Sequence, residues 1–119
     1  ELRLNNNVKL LGYRNDITEI LKIADLFIFS SKREGLPVSL IEAMTADLPA
    51  IASNVRGNRD LISKKNLFEP DDAYALVRII EKQLDNIENS KRSKVEYKNL
   101  EQYSLKNVLK QMTEIYKDK

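Results

Sequence analysis

A chain of 119 residues, 42% hydrophobic and 32% charged, has the length and composition of one soluble globular domain and hardly of two. It has no cysteine and no histidine, which excludes a disulfide framework, thiolate chemistry, thiolate or imidazole metal sites and the imidazole general base. The net charge of +2 makes no general case for a nucleic-acid partner, so any chemistry falls to carboxylates, Lys, Arg, hydroxyls or backbone groups.

The opening ELRLNNN lacks an initiator Met and the form of a signal peptide, and it begins like the tail of a helix. A fragment of a longer, cytoplasmic protein is the expectation. No apolar run approaches the roughly 18 residues that span a bilayer. Val8-Lys9-Leu10-Leu11-Gly12 reads as a short buried strand, with Tyr13-Arg14-Asn15 at its C-terminal end. Asp16, with Glu19 three residues on, has the form of a capping box, and Ile17, Ile20, Leu21 and Ala24 follow at helical spacing.

The run Leu26 to Ser30 is apolar without alternation, as in a strand covered on both faces of a parallel sheet. A polar loop leads to a helix over roughly 37–45, where Pro37 suits the first turn because its missing N–H would have no partner there. Val38 and Ile41, with Ala43, Met44 and Leu48, are expected to face the core. Pro49 to Ser53 reads as a third strand, Asn54 to Arg59 as its C-terminal loop, Asp60-Leu61-Ile62 as a short helical turn, and Asn66 to Glu69 as a weak fourth strand ended by Pro70. Asp71 and Asp72 cap an amphipathic helix whose apolar face is Ala73, Leu76, Val77, Ile80, Leu84 and Ile87. Residues 88–99 are polar and charged, a solvated face or linker. Ser104 then reads as the cap of a last helix striped with Leu105, Val108, Leu109, Met112 and Tyr116.

Strands alternating with helices predict an α/β layer fold, a partial Rossmann-like parallel sheet flanked by helices. The domain is single and partial over 1–119, with its α/β core at 1–87 and the polar segment and last helix at 88–119. In such sheets ligands sit beyond the C-terminal ends of the strands. The loops at that edge, 13–15, 30–36 and 54–59, are polar and carry charge. Glu34 stands on the central loop and Glu42, eight residues on, in the following helix. Gly35 and Leu36 lie between them, at the N-terminal end of the helix, where free amides and the positive end of the dipole favour an anion. Carboxylates accept hydrogen bonds from vicinal hydroxyls. A phosphate flanked by sugar hydroxyls, as in a nucleotide sugar, would satisfy all three features. A turn glutamate and a solvent-facing helix glutamate would give the same pair of acids by chance.

Ser31-Lys32-Arg33-Glu34-Gly35-Leu36-Pro37, Ile41-Glu42-Ala43-Met44 and Leu48-Pro49-Ala50-Ile51-Ala52-Ser53 together resemble the C-terminal domain of glycosyltransferase family 4, retaining enzymes of the GT-B fold. The resemblance extends over nearly the whole chain, from Leu10-Leu11-Gly12-Tyr13 to Tyr103-Ser104. It implies roles residue by residue. Glu34 is the catalytic-site acid that contacts donor-sugar hydroxyls. Gly35, Leu36 and Pro37 line the sugar and diphosphate. Glu42 binds the ribose hydroxyls, Val38 and Leu36 pack near ribose or base, and Arg14 borders the base. The nucleotide-diphospho-sugar is then a substrate; no cofactor and no metal site is implied, and no Asp-x-Asp motif occurs.

Arg56-Gly57 departs from the Gly-Gly frequent in the family, and Asp60 stands where Glu is frequent. The family's two preceding strand–helix units, with the glycine-rich turn and cationic pair that neutralise the leaving diphosphate, are absent from this sequence, as is the acceptor domain. In the family's usual order those strands lie between the Val8 and Leu26 strands. The implied partners are a nucleotide-sugar donor, a glycan or lipid-linked acceptor held by an N-terminal domain, and a second copy through open sheet edges. The implied setting is cytoplasmic, at the inner face of a membrane. A non-catalytic nucleotide-binding or interaction module acting through a partner chain is the alternative, and the chain alone is expected to be inactive.

Overall fold

The computed structural model describes residues 2–89 and residue 110. The expected polar segment from residue 90 and the helix opening at Ser104 lie outside the described residues. In chain order the elements are α1 (Ile17–Ile23), β1 (Phe27–Phe29), α2 (Val38–Thr45), β2 (Ala50–Ser53), α3 (Arg56–Arg59), a 3-10 turn at Lys64–Asn66, β3 (Leu67–Phe68) and α4 (Ala73–Glu88). The strands form one parallel sheet in the order β1-β2-β3. Phe27 pairs with Ala50, Ile28 with Ile51 and Phe29 with Ala52, then Ala52 with Leu67 and Ser53 with Phe68. The predicted α/β class with a parallel sheet is what the chain adopts.

β2 is the hub because every one of its residues is buried. Ala50 and Ala52 join Leu40, Ile41 and Met44 of α2 and Leu61 and Ile62 beyond α3 in the main core, with Phe27, Phe29 and Leu67 packed against it. Small residues on the strand let the helix approach, and the large side chains of α2 fill the gap. A second cluster, Leu21, Ala43 and Leu48, ties α1 to the back of α2. Val38 lies outside both clusters and is half exposed; Leu40 takes the core place expected for it. α2 ends in a left-handed residue, Asp47 (φ 57°), with Leu48 N–H donating to Ala43 C=O at 3.1 Å and Asp47 N–H to Met44 C=O at 3.0 Å. That hydrogen-bond pattern turns the chain directly into β2.

Four expectations fail for identifiable reasons. Residues 8–12 form no strand, and Leu10 is 97% exposed. An apolar run becomes a buried strand only when ladder neighbours satisfy its backbone. Among the described residues this run has none, and the outer edge of β1 is likewise unpaired. Asp16 stands at the N-cap of α1 but makes no side-chain cap. Its carboxylate is taken by Arg14, Nε to Oδ1 at 2.8 Å and Nη2 to Oδ2 at 2.6 Å. A two-point charge-assisted pair outcompetes a bond to a neutral amide. Glu19, the other half of the expected box, pairs with Lys22 at 3.1 Å.

Third, the stretch expected to be an irregular loop after β2 contains α3, and the chain past it is turned rather than helical. The helix forms there because Arg59 N–H reaches Val55 C=O at 3.0 Å and Leu61 and Ile62 N–H both reach Asn58 C=O. Fourth, Gln83 is the buried residue of α4, while Val77 and Leu84 of the predicted apolar face are about half exposed. Gln83 Nε2 donates to the buried Asn66 Oδ1 at 2.9 Å, and this polar contact sets how the helix faces the body. The cap of α4 is as expected: Asp72 Oδ1 accepts from Ala75 N–H at 2.9 Å.

Candidate functional site

β1 ends at Phe29, and the chain runs out past the C-terminal edge of the sheet before the buried Pro37 returns it to the body. Glu34 on this loop is half-buried, while Gly35 and Leu36 are exposed. Leu36 C=O accepts from Val38 N–H at 3.0 Å, which folds the entry to α2 into a tight turn and consumes that amide. The N–H groups of Gly35 and Leu36 donate to no group among the described residues. The first-turn amides of α2 have no intrahelical acceptor either. The loop therefore presents unspent donors at the positive end of a helix, with an acid on each side along the chain.

Contacts from the end of β2 and from α3 hold this loop. Gly57 N–H donates to Glu34 C=O at 3.3 Å. A Cβ on Gly57 would stand 2.7 Å from Gly35 O, 3.0 Å from Glu34 O and 3.2 Å from Pro37 Cδ, so the loop can lie where it does only against a glycine. Ser53 Oγ donates to Ser31 C=O, and Asn58 Nδ2 donates to Ser53 C=O at 3.0 Å and to Ser53 Oγ at 3.3 Å. Ser31 Oγ adds a local bond to Arg33 C=O at 2.9 Å, and an exposed pair joins Lys32 to Asp71 at 3.1 Å. Sequence reasoning put Gly57 and Asn58 on a loop at the ligand edge but gave neither of them, nor Ser53, a contact that holds the site. One signal was available for Gly57: it is the last of only three glycines in the chain and falls just after a strand.

Glu42 is exposed on α2 and lines a cavity of about 450 Å³ together with Arg14. Leu11, Ile17, Leu21 and Phe27 make much of the remaining wall apolar. The structure thus brings together Arg14 and Glu42, two residues separated by 28 positions, at one concavity. Glu34, Gly35, Leu36, Pro37 and Val38 are not in that wall; they form a second group at the loop and helix start. The Arg14 guanidinium is engaged by Asp16, and the hydrogen bond it donates holds the Asp16 carboxyl below the ordinary carboxylate value. The same bond, with the carboxylate's charge, raises Arg14 above its own ordinary value.

A small parallel sheet flanked by helices, with a donor-rich, acid-flanked loop at its C-terminal edge, defines a Rossmann-like α/β domain. The chain belongs to the glycosyl transferases group 1 family, whose model matches residues 1–102. It is 38% identical over 94 residues to the UDP-Gal:alpha-D-GlcNAc-diphosphoundecaprenol alpha-1,3-galactosyltransferase of Escherichia coli, a match covering 73% of this chain and 24% of that protein. It is 29% identical over 121 residues to the capsular polysaccharide biosynthesis glycosyltransferase CapH of Staphylococcus aureus, covering 100% of this chain and 33% of the relative. With the lipopolysaccharide glucosyltransferase WaaG of Escherichia coli (strain K12) the identity is 31% over 88 residues, 71% of this chain and 24% of that protein. The chain therefore spans about a quarter to a third of the length of these relatives. Among the described residues no helix is long and apolar enough to cross a membrane.

Proposed function

We propose that this chain is the donor-binding part of a retaining glycosyltransferase that uses a nucleotide-diphospho-sugar. The observation that carries the proposal is the junction of β1 and α2. Unspent amides at Gly35 and Leu36 lie at the carboxyl end of a parallel sheet, with Glu34 before them and Glu42 one helical turn beyond. A diphosphate is suited by free donors at a helix N-terminus, and diols are suited by carboxylates. In this reading Glu34 accepts from donor-sugar hydroxyls, Gly35, Leu36 and Pro37 line the diphosphate, and Glu42 accepts from the ribose. Val38, half exposed beside Pro37, packs near ribose or base, and Arg14 borders the base from across the cavity it shares with Glu42.

Transfer breaks the bond between the anomeric carbon and the diphosphate and makes one to an acceptor oxygen, whose proton is released. The chain's part is to orient the donor and to stabilise the charge gathering on the diphosphate through the loop amides. The nucleotide sugar is a substrate in this scheme, and no cofactor or metal is assigned. The name of one relative, the Escherichia coli galactosyltransferase, favours a UDP-sugar donor and a lipid-linked acceptor, and that of CapH a capsular glycan. That acceptor would be held by a domain outside this chain, on the cytoplasmic face of a membrane. The open edge of β1 is a place for self-association or for strands from elsewhere in a longer protein.

Calorimetric titration of the 119-residue chain with UDP, GDP and their sugars tests the proposal. One nucleotide series is expected to bind, and Glu42→Ala to weaken it at least about tenfold with unchanged unfolding temperature, because one lost charge-assisted bond is worth that much. No binding, or undiminished binding by Glu42→Ala, overturns it. Radiolabelled sugar transfer by the chain alone is expected to be near background; turnover comparable to a full-length relative would contradict the assignment of the remaining machinery to other segments.

A further inference from the structure

We infer that Ser53 and Asn58, which touch no part of the proposed donor, are positioning residues that set the placement of Glu34 and thereby the recognition of the donor's sugar. The inference rests on the donor-binding reading above. Both side chains are 0% exposed. Asn58 offers Nδ2 hydrogens to Ser53 C=O at 3.0 Å and to Ser53 Oγ at 3.3 Å. An amide nitrogen only donates, so the Ser53 hydroxyl proton is left with one direction, toward Ser31 C=O. The relay therefore has a polarity: Asn58 orients the hydroxyl, and the hydroxyl fixes the first turn of the loop.

The orientation of the Asn58 amide is itself constrained. Its Oδ1 is buried and has no partner among the described residues. Flipping the amide would put that oxygen against the Ser53 carbonyl, acceptor against acceptor, so the observed orientation is the one the serine's backbone dictates. A buried polar group kept at the expense of an unpaired oxygen is the kind of feature that serves placement rather than packing. The fixed point, Ser31, lies three residues before Glu34, and the second fixed point is Glu34 C=O, held by Gly57 N–H at 3.3 Å. Both anchors come from residues 53–58. Glu42 and Arg14, the proposed nucleoside contacts, sit on other elements and make no bond to this relay among the described residues.

Loss of the relay should then change sugar recognition and leave nucleoside recognition. Ser53→Ala removes one oxygen atom, so it is the primary variant; Asn58→Ala is the second, to be read only if it folds. Affinities for UDP against UDP-galactose, and for GDP against GDP-mannose, are measured by calorimetry. Amide hydrogen exchange is followed at residues 32–36 and across β2. For Ser53→Ala we expect the extra affinity conferred by the sugar to fall at least about fivefold, over and above any loss of nucleoside diphosphate affinity through the Gly35 and Leu36 amides of the same loop. Exchange at 32–36 should accelerate at least about tenfold while β2 stays within about twofold, since local opening is separable from global unfolding. An unchanged sugar increment with unchanged loop exchange overturns the inference, as does acceleration spread evenly over the whole domain. If the unmodified chain binds no nucleotide of either series, the donor-binding reading fails on that arm; the exchange arm still decides whether Ser53 positions the loop.

Discussion

A methyl group at residue 57 has nowhere to go. In Gly57→Ala the new Cβ would meet Gly35 O at 2.7 Å and Glu34 O at 3.0 Å, whereas ordinary contact begins at 3.4 Å. Both opposing atoms are backbone oxygens, so neither can rotate aside. The loop must retreat by about 0.7 Å or α3 must tilt, and overpacking of this kind costs about 1–3 kcal/mol. No positive φ contributes, so contact alone sets the cost. For a domain of this size each kcal/mol lowers the midpoint of thermal unfolding by about 4–8 °C, so circular dichroism should show a fall of at least about 4 °C. Donor affinity should fall with it, because a displacement approaching 1 Å at a positioning element can cost on the order of a hundredfold. Gly35→Ala is the matched control. Its Cβ would meet nothing within 4 Å, so stability should hold within about 0.5 kcal/mol while the added methyl obstructs the donor face. Unaltered unfolding of Gly57→Ala, or an equal loss in Gly35→Ala, would refute the reasoning.

Other substitutions test the fold and its charges. Leu40→Ala, at a 0% exposed position in the main core, should cost about 2–5 kcal/mol in urea unfolding. Leu10→Ala, at a 97% exposed position, should stay within about 0.5 kcal/mol; a core-sized loss there would restore residues 8–12 as a buried strand. Asp72→Ala removes the side-chain cap of α4 and should cost about 1 kcal/mol, read from the same transitions. The Asp16 carboxyl titrates low because Arg14 donates to its charged form, so the pair's contribution is present above the ordinary carboxylate value and is lost as pH falls through the lowered one. An NMR titration of Asp16 in Arg14→Gln should move the midpoint up; identical midpoints in the two chains would show that the pair does not form in solution.

The parts of the fold legible in sequence are those with local causes. The unbroken apolar run before Ser30 announced a strand covered on both faces, and Pro49 to Ser53 a third strand; both are paired in parallel, but Ile28 of β1 is 41% exposed, so only β2 is covered on both faces. Asp72 before an amphipathic run announced a cap, and it caps. What was not legible depended on partners distant in the chain. Nothing within Val8–Gly12 says whether ladder neighbours exist. Nothing around Gln83 says that Asn66, 17 residues earlier, will offer it a buried acceptor. Arg14 is close to Asp16, yet its capture of the carboxylate is a competition between two plausible bonds, and sequence pattern ranks the cap first. The candidate site divides in the same way. Glu34, Gly35 and Glu42 could be picked out from a strand, a turn and a helix read locally. Ser53 and Gly57, which hold the loop of Glu34 and Gly35, act across 22 or 23 positions, with Asn58 acting through Ser53, and their importance appears only when β1 and β2 lie side by side.

The central claim is that the β1–α2 junction takes a nucleotide-diphospho-sugar, and an NMR titration of amide shifts reads it most directly. Addition of UDP, GDP and their sugars to the chain should move the amides of Gly35, Leu36, Val38 and Glu42 first and furthest, with the 13–15 segment following. Saturating amounts that leave those amides in place, or that move only α4, would contradict the account.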